Sequence, residues 1–334
     1  MVAHAASHQT IVSGLRPITS SYDLIDVSRL VERAFAGDMD ESGRNAMREM
    51  RVLSQLFGWL DFFGGSGGSA MPGFVWVENG VIVGNVTVRQ LNLAGRGWMI
   101  GNVAVDPAWQ RRGIARQLMT AAINKARDYN AHWIALQVRS DNAAARALYR
   151  SLGFEDTGET VYFEQTAPTP VDRPLPPVEG RLRAARPADT DRLYTLAQSL
   201  VPETARWAEP LYRGQFDLSF EKRLSDRLTR TRVAWRLIET GDQLWGAASI
   251  EVNGWTRRGR LGLWVVPSRA GRIEQLLVDS VLAEIDPRTR SISARLPGDH
   301  VAGRTALITR GFRPVRALTH MRLRLSTGQE VGGP

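Results

Sequence analysis

The chain has 334 residues, more than one ordinary core fills, so two domains are expected. Its 43% hydrophobic and 23% charged composition is that of a soluble globular protein, without a signal-like start or a run of apolar residues long enough to span a bilayer; a cytoplasmic protein with no membrane partner is expected. The absence of cysteine excludes disulfides, thiolate metal sites and a cysteine nucleophile, so any acyl transfer must run directly or through another residue type.

The first half opens with "LRPITSSYDLIDVSRLVERAF", which reads as a short strand, a turn and a helix with Leu24, Val27, Leu30, Val31, Ala34 and Phe35 on one face. Residues 37–73 follow as a helix carrying Met47, Met50, Leu53, Leu56, Phe57 and Leu60, then a glycine-rich tip. Its acidic start, Asp38, Asp40 and Glu41, suits attraction of a cationic amine, with "FFGGSGG" closing over it; an amphipathic core helix with a loop is the plainer alternative. Strands near 74–79, 81–91 and 98–106 are joined by short turns and are expected to be antiparallel. A helix over 113–129 then crosses to the strand "WIALQV" at 133–138, as a parallel neighbour requires.

Residues 110–115, "QRRGIA", sit between the turn Asp106-Pro107 and a helix with Ile114, Leu118, Ala122 and Ala126 on one face. The first amides of a helix lack internal partners and lie at the positive end of its dipole, so Arg111, Arg112, Gly113, Ile114, Ala115 and Arg116 form a natural anion cradle. Gly113 and Ala115 let a phosphate approach the backbone, although a solvated charged turn has the same composition.

The proline-rich stretch 166–180 reads as an extended linker. Beyond it the first half's order returns: "LRAARPADTDRLYTLAQSL" with Leu193, Leu196, Ala197 and Leu200, then "VAWRLIETGDQLWGAASIEV", "RGRLGLWVVP" and "DHVAGRTALITRGFR". This indicates a duplicated α/β unit, divided as 1–165, linker 166–180 and 181–326. Residues 1–165 hold 16 Lys+Arg and 16 Asp+Glu, while 166–334 hold 27 and 18, so the second half carries the whole excess of +9. Almost all cations are arginine, which points to compositional bias rather than to a nucleic-acid surface.

"NVAVDPAWQRRGIARQLM" with "LQVRSDNAAARALYRSLGFE" resembles the cofactor-binding half of the GNAT superfamily of acetyl-CoA-dependent N-acyltransferases, nearest to the branch acting on a ribosomal protein's amino terminus. The resemblance implies two tandem GNAT-like α/β domains with mixed sheets. It implies acetyl-CoA as cosubstrate with no metal, a splayed strand at Val103, Ala104 and Val105 for pantetheine, and the pyrophosphate on the amides of 111–116. Asn142 falls on the family's cofactor-contacting Asn, and Tyr149 on its general acid.

A phenol suits that role, since reference phenol and thiol pKa values differ by about 1.5 units. Tyr149 also shares a helix face with Ala145, Leu148 and Leu152, so a core tyrosine is the alternative reading; Asn142 likewise suits an ordinary helix start and Gly153 a helix C-cap. Where the ribosomal-protein branch has "LEVR" with a basic Glu, this chain has "LQVR", and Gln137 cannot accept a proton. Glu78, Asp61, Asp38, Asp40 and Glu41 remain candidate bases.

In the second half "VVPSRAGRIEQLL" lacks the glycine pattern, Glu274 lies near the helix start, and Leu307 and His300 stand for Tyr149 and Asn142. His300 reads as a capping or surface residue. The expected protein is an N-acetyltransferase acting on a primary amine, small molecule or protein N-terminus, through its first half, with a second half that binds no cofactor. A non-catalytic acyl-CoA sensor or scaffold is the alternative.

Overall fold

The computed structural model describes residues 13–35, 73–91, 96–171, 179–203, 205–208 and 210–325. Asp38, Asp40, Glu41, Asp61 and the glycine-rich tip lie outside them. The chain divides into two compact units, one of Met1–Gln137, Ala144–Glu155 and Met321–Pro334, the other of Val138–Ala143 and Asp156–His320.

In the first unit β1 (Gly14–Pro17), β2 (Gly73–Glu78), β3 (Val81–Gln90) and β4 (Gly97–Val105) pair antiparallel in that order. β4 then pairs parallel with β5 (Trp133–Arg139), the change of sense that the crossover helix required. The next position belongs to residues 321–324, the end of β12 (Arg313–Arg324). Helix α1 (Ser21–Phe35) buries Val27, Leu30 and Val31 against Val75, Val77 and Ile82. Leu30 is fully enclosed, which contributes about 1.5–3 kcal/mol. Helix α2 (Ile114–Asp128) reaches the sheet at Gly84, where an added Cβ would lie 2.9 Å from Ile114 and 3.0 Å from Leu118.

The second unit repeats the plan with β7 (Arg181–Ala184), β8 (Thr231–Thr240), β9 (Gln243–Asn253) and β10 (Arg258–Val265) antiparallel, then β11 (Ser291–Pro297) parallel to β10. β11 pairs with β6 (Glu155–Thr166), the strand that closes the first half of the sequence. The sequence boundary at 165 therefore falls at the end of a strand that packs with the second unit from Asp156 on, and the chain's final strand returns residues 321–324 to the first. Its helices are α4 (Thr190–Leu200), α5 (Phe220–Leu228), α6 (Glu274–Leu282) and α7 (Val301–Thr309), while α3 (Ala143–Ser151) follows β5. At Gly246 a Cβ would meet Ile273 at 3.0 Å and Leu277 at 3.1 Å, so Gly246 does for α6 what Gly84 does for α2.

Each unit also fastens its first strand to the start of its first helix through an Arg–Asp pair. Arg16 donates twice to Asp23, at 2.8 and 2.7 Å, and hydrogen bonding to that guanidinium lowers the Asp23 carboxyl to about 2. Arg183 donates to Asp189 at 2.6 and 2.9 Å and also to Glu239, which Arg192 joins at 2.9 Å. Among the described residues no helix is long and apolar enough to cross a membrane.

Candidate active site

In the first unit the β3–β4 ladder breaks at one place. Asn85 pairs with Ala104 and Thr87 with Gly101, so Asn102 and Val103 together face Val86 as a bulge. Asn102 takes the left-handed backbone (φ 49°) that asparagine tolerates. Its carbonyl accepts from Asn85 Nδ2 at 2.9 Å, and the Gly101 carbonyl accepts from Thr87 Oγ1 at 2.9 Å. In a trans peptide C=O and N–H point opposite ways, so a carbonyl held toward β3 turns the Val103 N–H to the other edge. On that edge the β4–β5 pairing extends from Gly97 opposite Trp133 to Ile100 opposite Leu136. The expected splay at Val103, Ala104 and Val105 lies beyond that last pair.

Past β4 the chain runs through a 3-10 turn over Pro107–Trp109, capped by Asp106, whose Oδ1 accepts from Ala108 N at 3.1 Å. Gln110 Nε2 donates to the Val105 carbonyl at 3.2 Å and fastens the loop to the strand end. Arg111 (φ 65°) and Gly113 (φ 80°) are left-handed, and this curls the backbone into a concave run of amides. Gly113 caps α2 without a side-chain hydrogen bond, no acidic residue stands in the helix's first turn, and a Cβ at Gly113 would meet nothing within 4 Å. Two of the arginines frame the loop. Arg112 stacks on Trp109 at 4.5 Å and donates to the Ala108 carbonyl, and Arg116 donates to Ser151 Oγ at 2.8 Å on α3, the helix that carries Tyr149. These open amides and this space fit a pyrophosphate.

Tyr149 is 6% exposed, with its ring 6.1 Å from that of Phe154. Burial pushes its hydroxyl up to about 12. The same burial would raise a thiol held beside it, so phenol and thiol shift in the same direction. Gly153 has φ 89°, as its place just past the end of α3 requires. Asn142 precedes α3 and donates its N–H to the Arg139 carbonyl at 3.0 Å; it is exposed and falls in the 138–143 stretch grouped with the second unit. Gln137 is exposed, and Glu78 accepts from Trp76 Nε1 at 2.8 Å.

The second unit answers each of these features differently. Its β9–β10 ladder is continuous from Arg258 opposite Asn253 to Val265 opposite Gly246, with Ala247 where the first unit has Asn85. At the start of α6 the Glu274 carboxylate accepts from Gly271 N at 2.8 and 3.0 Å and from Ile273 N at 3.3 Å. His300 stands at the N-cap position of α7, as the capping reading expected, but its side chain makes no capping hydrogen bond and lies 3.3 Å from Glu274. The two are 26 residues apart in sequence, and folding makes them partners. Trp264 stacks on Trp235 (centroids 5.2 Å, 16°), with Phe216 edge-on at 5.4 Å, and Leu307 is fully buried where Tyr149 would stand.

Residues 41–154 match the acetyltransferase (GNAT) family. The match covers 114 of the 334 residues, about a third of the chain. A mycothiol acetyltransferase of Nocardiopsis dassonvillei is 31% identical over 150 residues, 44% of this chain and 42% of that protein. A [ribosomal protein bS18]-alanine N-acetyltransferase of Salmonella typhimurium is 47% identical over 55 residues, 16% of this chain and 37% of that one. The chain thus spans less than half the length of either relative. A solved tandem GNAT protein from the clavulanic acid biosynthesis pathway shares the fold over 95% of this chain and 99% of its own, with TM-score 0.54 and 17% identity. The fold is therefore that of a tandem GNAT protein, with two GNAT-like units in one chain. Sequence reasoning missed Asn85, whose only signal was "GNV" opposite "GAA" in the repeat, and the Ser140–Glu159 hydrogen bond (2.7 Å) within the second unit.

Proposed function

We propose that the first unit transfers the acetyl group of acetyl-CoA directly to a primary amine, either a small molecule or a protein N-terminus. The contrast between the units carries this reading. The first has a bulged strand and uncapped helix amides, while the second has an unbroken ladder and amides already holding Glu274. Residues 111–116 would hold the pyrophosphate, and Val103 N–H would donate to the oxygen on which charge develops as the amine attacks the thioester carbon. Asn142 is assigned a cofactor contact by its place in the motif.

Tyr149 is proposed as the general acid at the leaving sulfur. With its hydroxyl pushed up to about 12 by burial, Tyr149 holds its proton firmly at neutral pH. It therefore acts first as a hydrogen-bond donor, and the proton lost by the attacking nitrogen balances the one gained by sulfur. Gln137 supplies no base, so the acceptor enters as the neutral amine. The second unit serves as a structural or acceptor-binding partner.

Gln137 also favours a second reading, in which the chain binds acyl-CoA as a sensor or scaffold without turnover. Thiol release from acetyl-CoA across a panel of primary amines separates the two. Amine-dependent release that falls on Tyr149→Phe with acetyl-CoA affinity kept supports the enzyme, whereas binding without release from any amine supports the sensor.

A further inference from the structure

Asn85 is fully buried on β3, and its side chain is half satisfied. Nδ2 donates to the Asn102 carbonyl at 2.9 Å, while Oδ1 has no hydrogen-bond partner among the described residues. Burying an unsatisfied carbonyl is unfavourable, so the amide is kept at a cost that its one bond, to the Asn102 carbonyl, has to offset. The second unit makes the same point. Gly84 and Gly246 occupy the same place beneath their helices, and the residue after each is Asn85 in one unit and Ala247 in the other, both fully buried. Where alanine stands the ladder is unbroken, and where asparagine stands it bulges at Asn102 and Val103.

We infer that Asn85 is a positioning residue for acyl transfer. By gripping the Asn102 carbonyl it fixes the plane of the Asn102–Val103 peptide, and thereby aims the Val103 N–H at the thioester oxygen. The inference rests on the acetyl-transfer reading above. Thr87, bonded to the Gly101 carbonyl, steadies the preceding peptide, but its hold does not reach the plane that carries the Val103 N–H. Asn85 touches no reacting atom. Its effect is to make the amide direction a property of the folded strand rather than something each binding event must select, which is the preorganisation an oxyanion donor needs.

The test uses the full chain as wild type, Asn85→Ala and Asn85→Asp, with acetyl-CoA carrying a carbon-13 carbonyl as the probe. Calorimetry gives affinity, difference infrared spectroscopy gives the thioester carbonyl stretch of the bound probe, and thermal unfolding gives the midpoint. Asn85→Ala is expected to keep affinity within about threefold, because the cradle is untouched. It should lose most of the red-shift of the carbonyl stretch and leave the midpoint unchanged or raised. Any amine-dependent turnover should fall about tenfold to a hundredfold at unchanged KM for acetyl-CoA.

Asn85→Asp keeps the shape but donates only when protonated, so its red-shift should return as pH falls and the introduced carboxyl takes up a proton. An unaltered red-shift in Asn85→Ala would overturn the inference, as would a midpoint lowered by several degrees with binding lost, which would make Asn85 part of the framework. Failure of wild type to bind acetyl-CoA is a different result. It removes the acetyl-transfer reading itself, and this inference with it.

Discussion

Glu274 Oε2 accepts a hydrogen bond from the main-chain N–H of Gly271 at 2.8 Å, so the second unit carries its own anion at the helix start where the first offers uncapped amides. Burial pulls the Glu274 carboxyl upward, but hydrogen bonds from His300 and from the Gly271 amide outweigh it and leave the group below its ordinary value of 4.5. A depressed carboxyl contributes stability that is present above the unfolded value and lost as pH falls through the folded one. Glu274→Gln should therefore lower the thermal midpoint at pH 7, by about 1–3 kcal/mol of stability, and flatten its dependence on pH below 4.5. An unchanged midpoint in a pH series of melts would show that these bonds contribute nothing.

Tyr149 gives a second pH signature. Its hydroxyl is raised from 10 to about 12 by burial, so the native state holds the proton more tightly and stability falls as pH rises from 10 towards 12. In the rate profile no loss from tyrosine ionisation should appear below pH 10. Tyr149→Phe should cut kcat about tenfold to a thousandfold while leaving acetyl-CoA affinity intact. A rate equal to wild type across the profile would return Tyr149 to the role of a core residue.

Gly84 sets how closely α2 approaches the sheet. An added methyl would lie 2.9 Å from Ile114, 3.0 Å from Leu118 and 3.2 Å from the Cβ of Trp76, and Ile114 and Leu118 are buried, so neither can swing clear into solvent. Gly84→Ala should cost about 1–3 kcal/mol and weaken acetyl-CoA binding by shifting Ile114 and the amides before it. Denaturant unfolding together with a binding titration checks both effects, and a stability loss without any change in affinity would separate the cradle from the packing beneath it.

The second unit depends on the buried group of Arg183, Asp189, Glu239 and Arg192. Hydrogen bonding to Arg183 lowers Asp189 to about 2, so its contribution is full above 3.8 and is lost as pH falls towards 2. Asp189→Asn leaves buried guanidinium charge less compensated and should destabilise by about 3–5 kcal/mol. Melting at pH 7 should show the loss, and melting near pH 2 should show the variant and wild type converging.

The repeat, the change from antiparallel to parallel strands and the helix after "QRRGIA" were legible because periodicity and turn residues report local structure. The exchange of final strands was not. "VYFEQT" on β6 and "LTHMRLR" on β12 carry no mark of which strands they pair with, since pairing is decided by neighbours far away in sequence. The bulge left a faint trace in Asn102, one of the few residue types at ease in a left-handed backbone. Asn85 and the Glu274–His300 pair left none, because their meaning lies in partners 17 and 26 residues away. The loss of the second cradle, by contrast, was foreshadowed by Glu274 at its helix start.

Calorimetric titration of acetyl-CoA into the full chain and into Gly113→Glu counts the functional units directly. Gly113 lies in open space at the uncapped start of α2, so the new carboxylate would occupy the amides without disturbing the core, as Glu274 does in the second unit. One site per chain, abolished in the variant, is the expected result. Two sites, or a single site indifferent to Gly113→Glu, would contradict the assignment of acetyl-CoA to the first unit.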